Sequence, residues 1–152
     1  MPRALGRVTL GPMEEIFRSE LAVVTREAGF IRVRRTSVAM REAGPKGAVD
    51  FAERFRFIVP LRERRHLGFL LDSRAAPMVG DDSLFIAMRE RMQEMVLGFA
   101  RVGILVQTAI GKLQATRRAR EGGIFGLNTV EVFGDEEEAI AYVTGRSDEA
   151  RG

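Results

Sequence analysis

A chain of 152 residues, 45% hydrophobic and 30% charged, has the length of one ordinary domain and can bury a sizeable core without covalent staples. It contains no cysteine and one histidine, His66, which excludes disulfides, thiolate zinc sites, cysteine nucleophiles and His-rich metal centres. Twenty-four basic against 21 acidic residues leave a net charge of +3, and with Lys46 and Lys112 the only lysines, 24 − 2 = 22 of the bases are arginines, which stay protonated to very high pH and hold the pI at 10.1. This arginine bias also fits GC-rich coding, so nucleic-acid binding is permitted rather than indicated.

Residues 1–20 read as an irregular lead-in, broken by Gly6, Gly11 and Pro12, with Glu14-Glu15-Ile16-Phe17 the only hint of an element. No apolar stretch follows Arg3 and Arg7, and no run in the chain approaches the roughly 18 residues of a membrane span. The expectation is a cytoplasmic protein with no membrane span and no secretory signal. Residues 21–38 read as an antiparallel hairpin: Leu21 to Thr25 is β-rich, Glu27-Ala28-Gly29 is a turn, and Phe30, Arg32, Arg34 and Thr36 alternate with Ile31, Val33 and Arg35 to give one wetter face. Gly44-Pro45-Lys46-Gly47 is the clearest break in the chain. Beyond it, the spacing of Val49, Ala52, Phe55 and Val59 favours a helix over 48–64, bent or ended near Pro60, although Phe55, Phe57, Val59 and Leu61 also fit a strand.

The rest of the chain alternates. Leu67-Gly68-Phe69-Leu70-Leu71, ending at Asp72, is an apolar run suited to a strand covered on both faces. A loop at 75–80 precedes the capping oxygens of Asp81-Asp82-Ser83 and a helical stripe of Leu84, Ala87, Met88, Met92, Met95, Val96 and Phe99. Val102 to Val106 is a second buried strand, Lys112 to Glu121 a helix ended by Gly122-Gly123, and Val130 to Phe133 a third strand. Gly134-Asp135 caps a last helix, Glu136 to Val143, whose acidic first turn complements the helix dipole. Residues 145–152 form a polar tail. Strands alternating with helices imply right-handed crossovers and a largely parallel sheet, with the hairpin adding an antiparallel edge. The domain is expected over 21–144.

Few side chains carry a chemical signal. Ala109-Ile110-Gly111-Lys112 follows a strand and opens a helix, but a phosphate loop needs glycine where Val106 stands and Ser or Thr where Leu113 stands. Asp72 lies at the carboxyl end of a buried strand, where α/β folds place ligand-contacting groups, and Arg74 can pair with it. Asp72 with Asp81 and Asp82 could suit magnesium; strand-end and helix capping is the simpler account of the same residues. Ser83, at a helix N-terminus after a loop, is a candidate phosphorylation site and otherwise a cap. His66 reads as solvated. The runs Arg62-Glu63-Arg64-Arg65 and Arg117-Arg118-Ala119-Arg120 lack interleaved aromatics for base stacking and read as solvated helix faces. Met88, Met92 and Met95 read as core.

In combination, Leu70-Leu71-Asp72-Ser73-Arg74-Ala75-Ala76-Pro77, Asp81-Asp82, the stretch Ile104 to Gln114, and Val132-Phe133-Gly134-Asp135-Glu136-Glu137-Glu138-Ala139-Ile140-Ala141 resemble bacterial STAS-like, or SpoIIAA-like, domains, in particular small stand-alone members. The resemblance spans roughly residues 21–143. It implies a single-domain α/β fold with a mixed four- to five-stranded sheet and helices mainly on one side. It further implies a protein that binds rather than catalyses, as anti-sigma antagonists do on kinase-like partners. In that branch a phosphorylated serine opens the helix after a central strand, within an Asp-Ser-Ser-Gly-like stretch. Asp81-Asp82-Ser83-Leu84 corresponds here, with Asp82 at the first serine position and Leu84 in place of glycine, after about one inserted residue. A carboxylate already at position 82 would make such a site constitutive.

The leading expectation is thus a non-catalytic domain for protein–protein contact, docking through Asp72, Arg74, Asp82 and Ser83, with no cofactor or metal and no catalytic residues. A homodimer is compatible with it, and nothing in the chain fixes one. The alternatives are a small-ligand or lipid binder on the same fold, and a nucleic-acid binder using the arginine helices, whose affinity would fall steeply with salt.

Overall fold

The computed structural model describes residues 13–38, 40–77, 89–121 and 130–146. Six strands form one sheet in chain order: β1 (Glu14–Arg18), β2 (Ala22–Glu27), β3 (Phe30–Arg35), β4 (Gly68–Asp72), β5 (Arg101–Leu105) and β6 (Val130–Phe133). The pairs β1–β2 and β2–β3 are antiparallel, and β3–β4, β4–β5 and β5–β6 are parallel. The helices are α1 (Met40–Ile58), α2 (Leu61–Arg64), α3 (Arg89–Val96), α4 (Ala109–Glu121) and α5 (Glu136–Val143). The expected order of hairpin followed by alternating helices and parallel strands is therefore present.

The β2–β3 hairpin turns on Gly29, whose φ of 86° lies in the left-handed region that a Cβ disfavours. Alternation along each strand divides the side chains between two faces. On one face Val24, Ile31, Val33, Phe69, Val102, Ile104 and Val130 meet Phe51, Phe55, Val59, Val96 and Phe99 beneath α1 and α3. Phenylalanine rings knit this layer, with centroids 5.3 Å apart for Phe17–Phe51, 5.9 Å for Phe55–Phe69 and 5.1 Å for Phe69–Phe99. On the other face Phe30, Leu70 and Leu105 pack beneath Ala139, Tyr142 and Val143 of α5. The run at Leu67 to Leu71 is apolar throughout because β4 is covered on both sides. Gly68 and Gly103 let α5 sit close: a Cβ on Gly68 would overlap the Val143 carbonyl, and one on Gly103 would lie 2.8 Å from Val143 Cγ1.

Two expectations are corrected and one is met in detail. Residues 14–18 are not an irregular lead-in but an edge strand, so the sheet has six strands rather than four or five. Its register shifts between Glu15 and Phe17, which breaks the alternation that would have marked it, while Phe17 still reaches the core. The helix expected over 48–64, bent or ended near Pro60, does end there, and a second, one-turn helix follows. The break at Gly44 is real, with φ 79° and ψ 167°, and regular helix then runs to Ile58. Pro60, extended at φ −69° and ψ 154°, starts the single turn of α2. Finally, the Arg62 to Arg65 run is not a solvated face throughout, because Arg64 is fully buried.

Candidate functional site

β4 ends at Asp72, 1% exposed, on the sheet face that α5 covers. The parallel register sets Arg34 of β3 beside Asp72, and the antiparallel register sets Thr25 of β2 beside Arg32. Arg32, 6% exposed, thereby comes under the first turn of α5. Its Nε and Nη2 donate to the two Glu27 carboxylate oxygens at 2.7 and 3.1 Å. Its Nη1 donates to Asp72 Oδ2 at 3.1 Å and to Glu136 Oε2 at 2.8 Å. The Thr25 hydroxyl donates to Glu27 at 2.9 Å.

Arg74 approaches Asp72 from the other side. Its Nε donates to Asp72 Oδ1 at 2.9 Å and its Nη2 to Oδ2 at 2.7 Å, a bidentate clamp; its backbone N–H also donates to Oδ1 at 3.3 Å. Its Nη2 lies 3.5 Å from Glu136. Burial pushes the Asp72 carboxyl up, but the Arg74 hydrogen bonds and the charges of Arg74 and Arg32 outweigh it and hold the group below the usual carboxylate range. Burial likewise pulls Arg32 down, and the hydrogen bonds and charges of Glu27 and Glu136 reverse it, so Arg32 remains charged. The Asp72 hydrogen bond with Arg74 also raises Arg74.

This arrangement is suited to holding position. Two arginines face three carboxylates, and both Asp72 oxygens are taken by guanidinium and backbone donors. The Arg74 side chain remains 38% exposed, so a fixed cation is presented at the carboxyl edge of the sheet. Among the described residues no group of three or more His, Cys, Asp or Glu side chains is arranged to hold a metal ion.

Of the four docking residues expected from sequence, Asp72 and Arg74 come together as a direct pair. Asp82 and Ser83 lie outside the described residues, as do Asp81 and Met88. Sequence reasoning missed Arg32, Glu27, Thr25 and Glu136. The alternation over Phe30 to Arg35 puts Arg32 on the face opposite Ile31 and Val33, and a charged residue there reads as wet; its burial follows from α5 and β4. His66 is exposed and accepts from Arg65 Nε at 3.2 Å, as expected of a solvated histidine. Met92 and Met95 pack partly against the core, as expected.

Arg64 has a different setting on the other face. Its Nε donates to the Val59 carbonyl at 2.9 Å, and its Nη1 to the carbonyls of Glu94 at 3.0 Å, Met95 at 3.3 Å and Leu97 at 2.9 Å. The guanidinium lies 5.3 Å from the Phe55 ring and 5.0 Å from the Phe99 ring. It caps the C-terminal end of α3, where free carbonyls carry partial negative charge, and so takes no part in a basic surface with α4.

A mixed sheet entered through an antiparallel hairpin, helices α1 and α3 on one face and α5 on the other, define a SpoIIAA-like α/β fold. Among solved structures, that of an uncharacterised protein of the DUF3478 family with a SpoIIAA-like fold, from Shewanella loihica PV-4, matches with a TM-score of 0.52 over 94% of this chain and 98% of that one, at 12% identity. The likeness is one of fold. No family model matches the chain, and no curated protein does. Among the described residues, no helix is long and apolar enough to cross a membrane.

Proposed function

We propose that this chain is a non-catalytic regulatory domain of the cytoplasm that docks a protein partner at the carboxyl edge of its sheet, through Arg74 held by Asp72 and through Asp82 and Ser83 in the segment that follows. The observation that supports this reading is the Asp72–Arg74 clamp. A buried carboxylate fixes a part-exposed guanidinium, so a partner carboxylate or carbonyl meets a donor that has already lost its rotamer freedom. The same cluster favours binding over chemistry, because its carboxylates are neutralised by arginines and none is left to act as a base.

The test is capture from native lysate, with and without nuclease, followed by titration calorimetry of the purified partner. Binding should be lost in Arg74→Glu and in the Asp82→Arg, Ser83→Arg double variant, and kept in Lys46→Ala, on the exposed side of α1. Equal affinity in all four proteins would refute the docking surface. Recovery abolished by nuclease would transfer the reading to nucleic acid.

A further inference from the structure

Arg35 is the last residue of β3 and lies on the sheet face opposite the Asp72 cluster, in line with Val33 and Ile31. Its β2 partner is the core residue Ala22. Leu21, next to Ala22 in the chain, packs with Val38 and with Ala43, Ala48 and Val49 of α1. The Arg35 side chain is largely withdrawn from water, and its Nε is sealed from solvent without any acceptor. Among the described residues no carboxylate pairs with it. The neighbouring Arg34 projects to the other face and is exposed.

An arginine in this setting lacks what the fold provides for its counterparts. Arg32 has three carboxylates, and Arg64 has four carbonyls and two rings. A half-buried cation with no partner costs stability, and an unpaired planar fork is the shape that receives an oxyanion edge-on. We propose that Arg35 is the anchor of an oxyanion-binding site, taking one phosphate- or carboxylate-type group of a small ligand at the carboxyl end of β3, on the sheet face opposite the Asp72 cluster. Burial pulls the Arg35 guanidinium down with no opposing carboxylate, so an arriving anion restores the missing compensation. The inference stands on a different sheet face from the docking surface and does not depend on it.

The experiment uses the whole chain with inorganic phosphate as probe, at constant ionic strength against chloride, in the wild type, Arg35→Met, Arg35→Lys and Arg34→Met. At about ten times its dissociation constant, phosphate should raise the wild-type melting midpoint by roughly 3–5 °C. The same rise is expected in Arg34→Met, a smaller one in Arg35→Lys, and none in Arg35→Met. Without phosphate, Arg35→Met should melt at or above the wild type, because it removes an uncompensated buried charge. A saturable shift of the Arg35 Nε–H resonance on phosphate addition provides a reading without any variant. The proposal fails if that resonance does not move, if phosphate stabilises Arg35→Met as much as the wild type, or if Arg35→Met is destabilised in chloride. Parallel titrations with citrate and with pyrophosphate separate carboxylate from phosphate ligands.

Discussion

Replacing Arg32 by methionine removes the one cation that touches Glu27, Asp72 and Glu136 together. The consequences differ among the three. Glu136, 41% exposed, rehydrates and loses little. Asp72 keeps the Arg74 clamp. Glu27, 14% exposed, retains only the Thr25 hydroxyl and becomes a stranded charge on the sheet face that α5 covers. Removing one member of a buried ion pair costs about 3–5 kcal/mol. For a chain of this size that is a fall of roughly 6–20 °C in midpoint, read by calorimetry and by urea denaturation at neutral pH. Adding Glu27→Gln to Arg32→Met should recover part of the loss, because the stranded charge is then gone. A single-variant loss below about 1 kcal/mol, or a double variant no better than the single, would refute the account. The cluster also has an acid signature. The Asp72 carboxyl titrates below its ordinary value of 3.8, so its contribution is complete above that pH and is lost as pH falls through the lower folded value. Wild-type stability should therefore decline more steeply in that acid range than that of Asp72→Asn.

Arg64→Lys keeps a charge but cannot hold the Val59 carbonyl and the α3 carbonyls together or stack on both rings, so we expect a loss of about 2 kcal/mol in urea; an unchanged midpoint would show the fork to be dispensable. Gly68→Ala should cost about 3 kcal/mol, since the new methyl meets the Val143 backbone, whereas Gly103→Ala meets the end of the Val143 side chain and should cost about 1 kcal/mol. Equal losses would mean that α5 is not seated on these two glycines. Asp135→Ala removes the acceptor of the Glu138 N–H at 2.9 Å and should cost about 1 kcal/mol, with faster amide exchange at Glu138; unaltered exchange there would argue against the cap.

Elements governed by local pattern are legible in the chain. β6 and α5 run over the expected residues because a short apolar strand, a glycine-aspartate cap and an acidic first turn follow one another without interruption. β1 is not legible: Glu14, Glu15 and Arg18 read as polar, the register shift breaks the period, and one buried phenylalanine earns the strand its place. The candidate site is legible only as far as it is local. Asp72 and Arg74 are two residues apart at a strand end, and the pairing follows from that. Arg32 finds Asp72 at 40 residues and Glu136 at 104 residues along the chain, contacts that only the parallel register and the seating of α5 create. Arg64 sits in a run that looks solvated, and it is buried because Pro60 ends α1 and turns the next four residues back towards the end of α3.

Three arginines of the interior carry the same charge under different terms, and the contrast bears on function. Arg32 is neutralised by carboxylates and ties α5 to β2 and β4, so its charge is spent on architecture. Arg64 meets the carbonyls at the end of α3 and two aromatic faces, with its Nη2 left without an acceptor, and it too serves architecture. Arg35, alone of these three, has neither a carboxylate nor a carbonyl on its guanidinium among the described residues. If its role were packing, methionine would serve as well and would avoid the desolvation of a cation. A cation whose removal should leave the protein no less stable is better explained by what it binds than by how the chain packs.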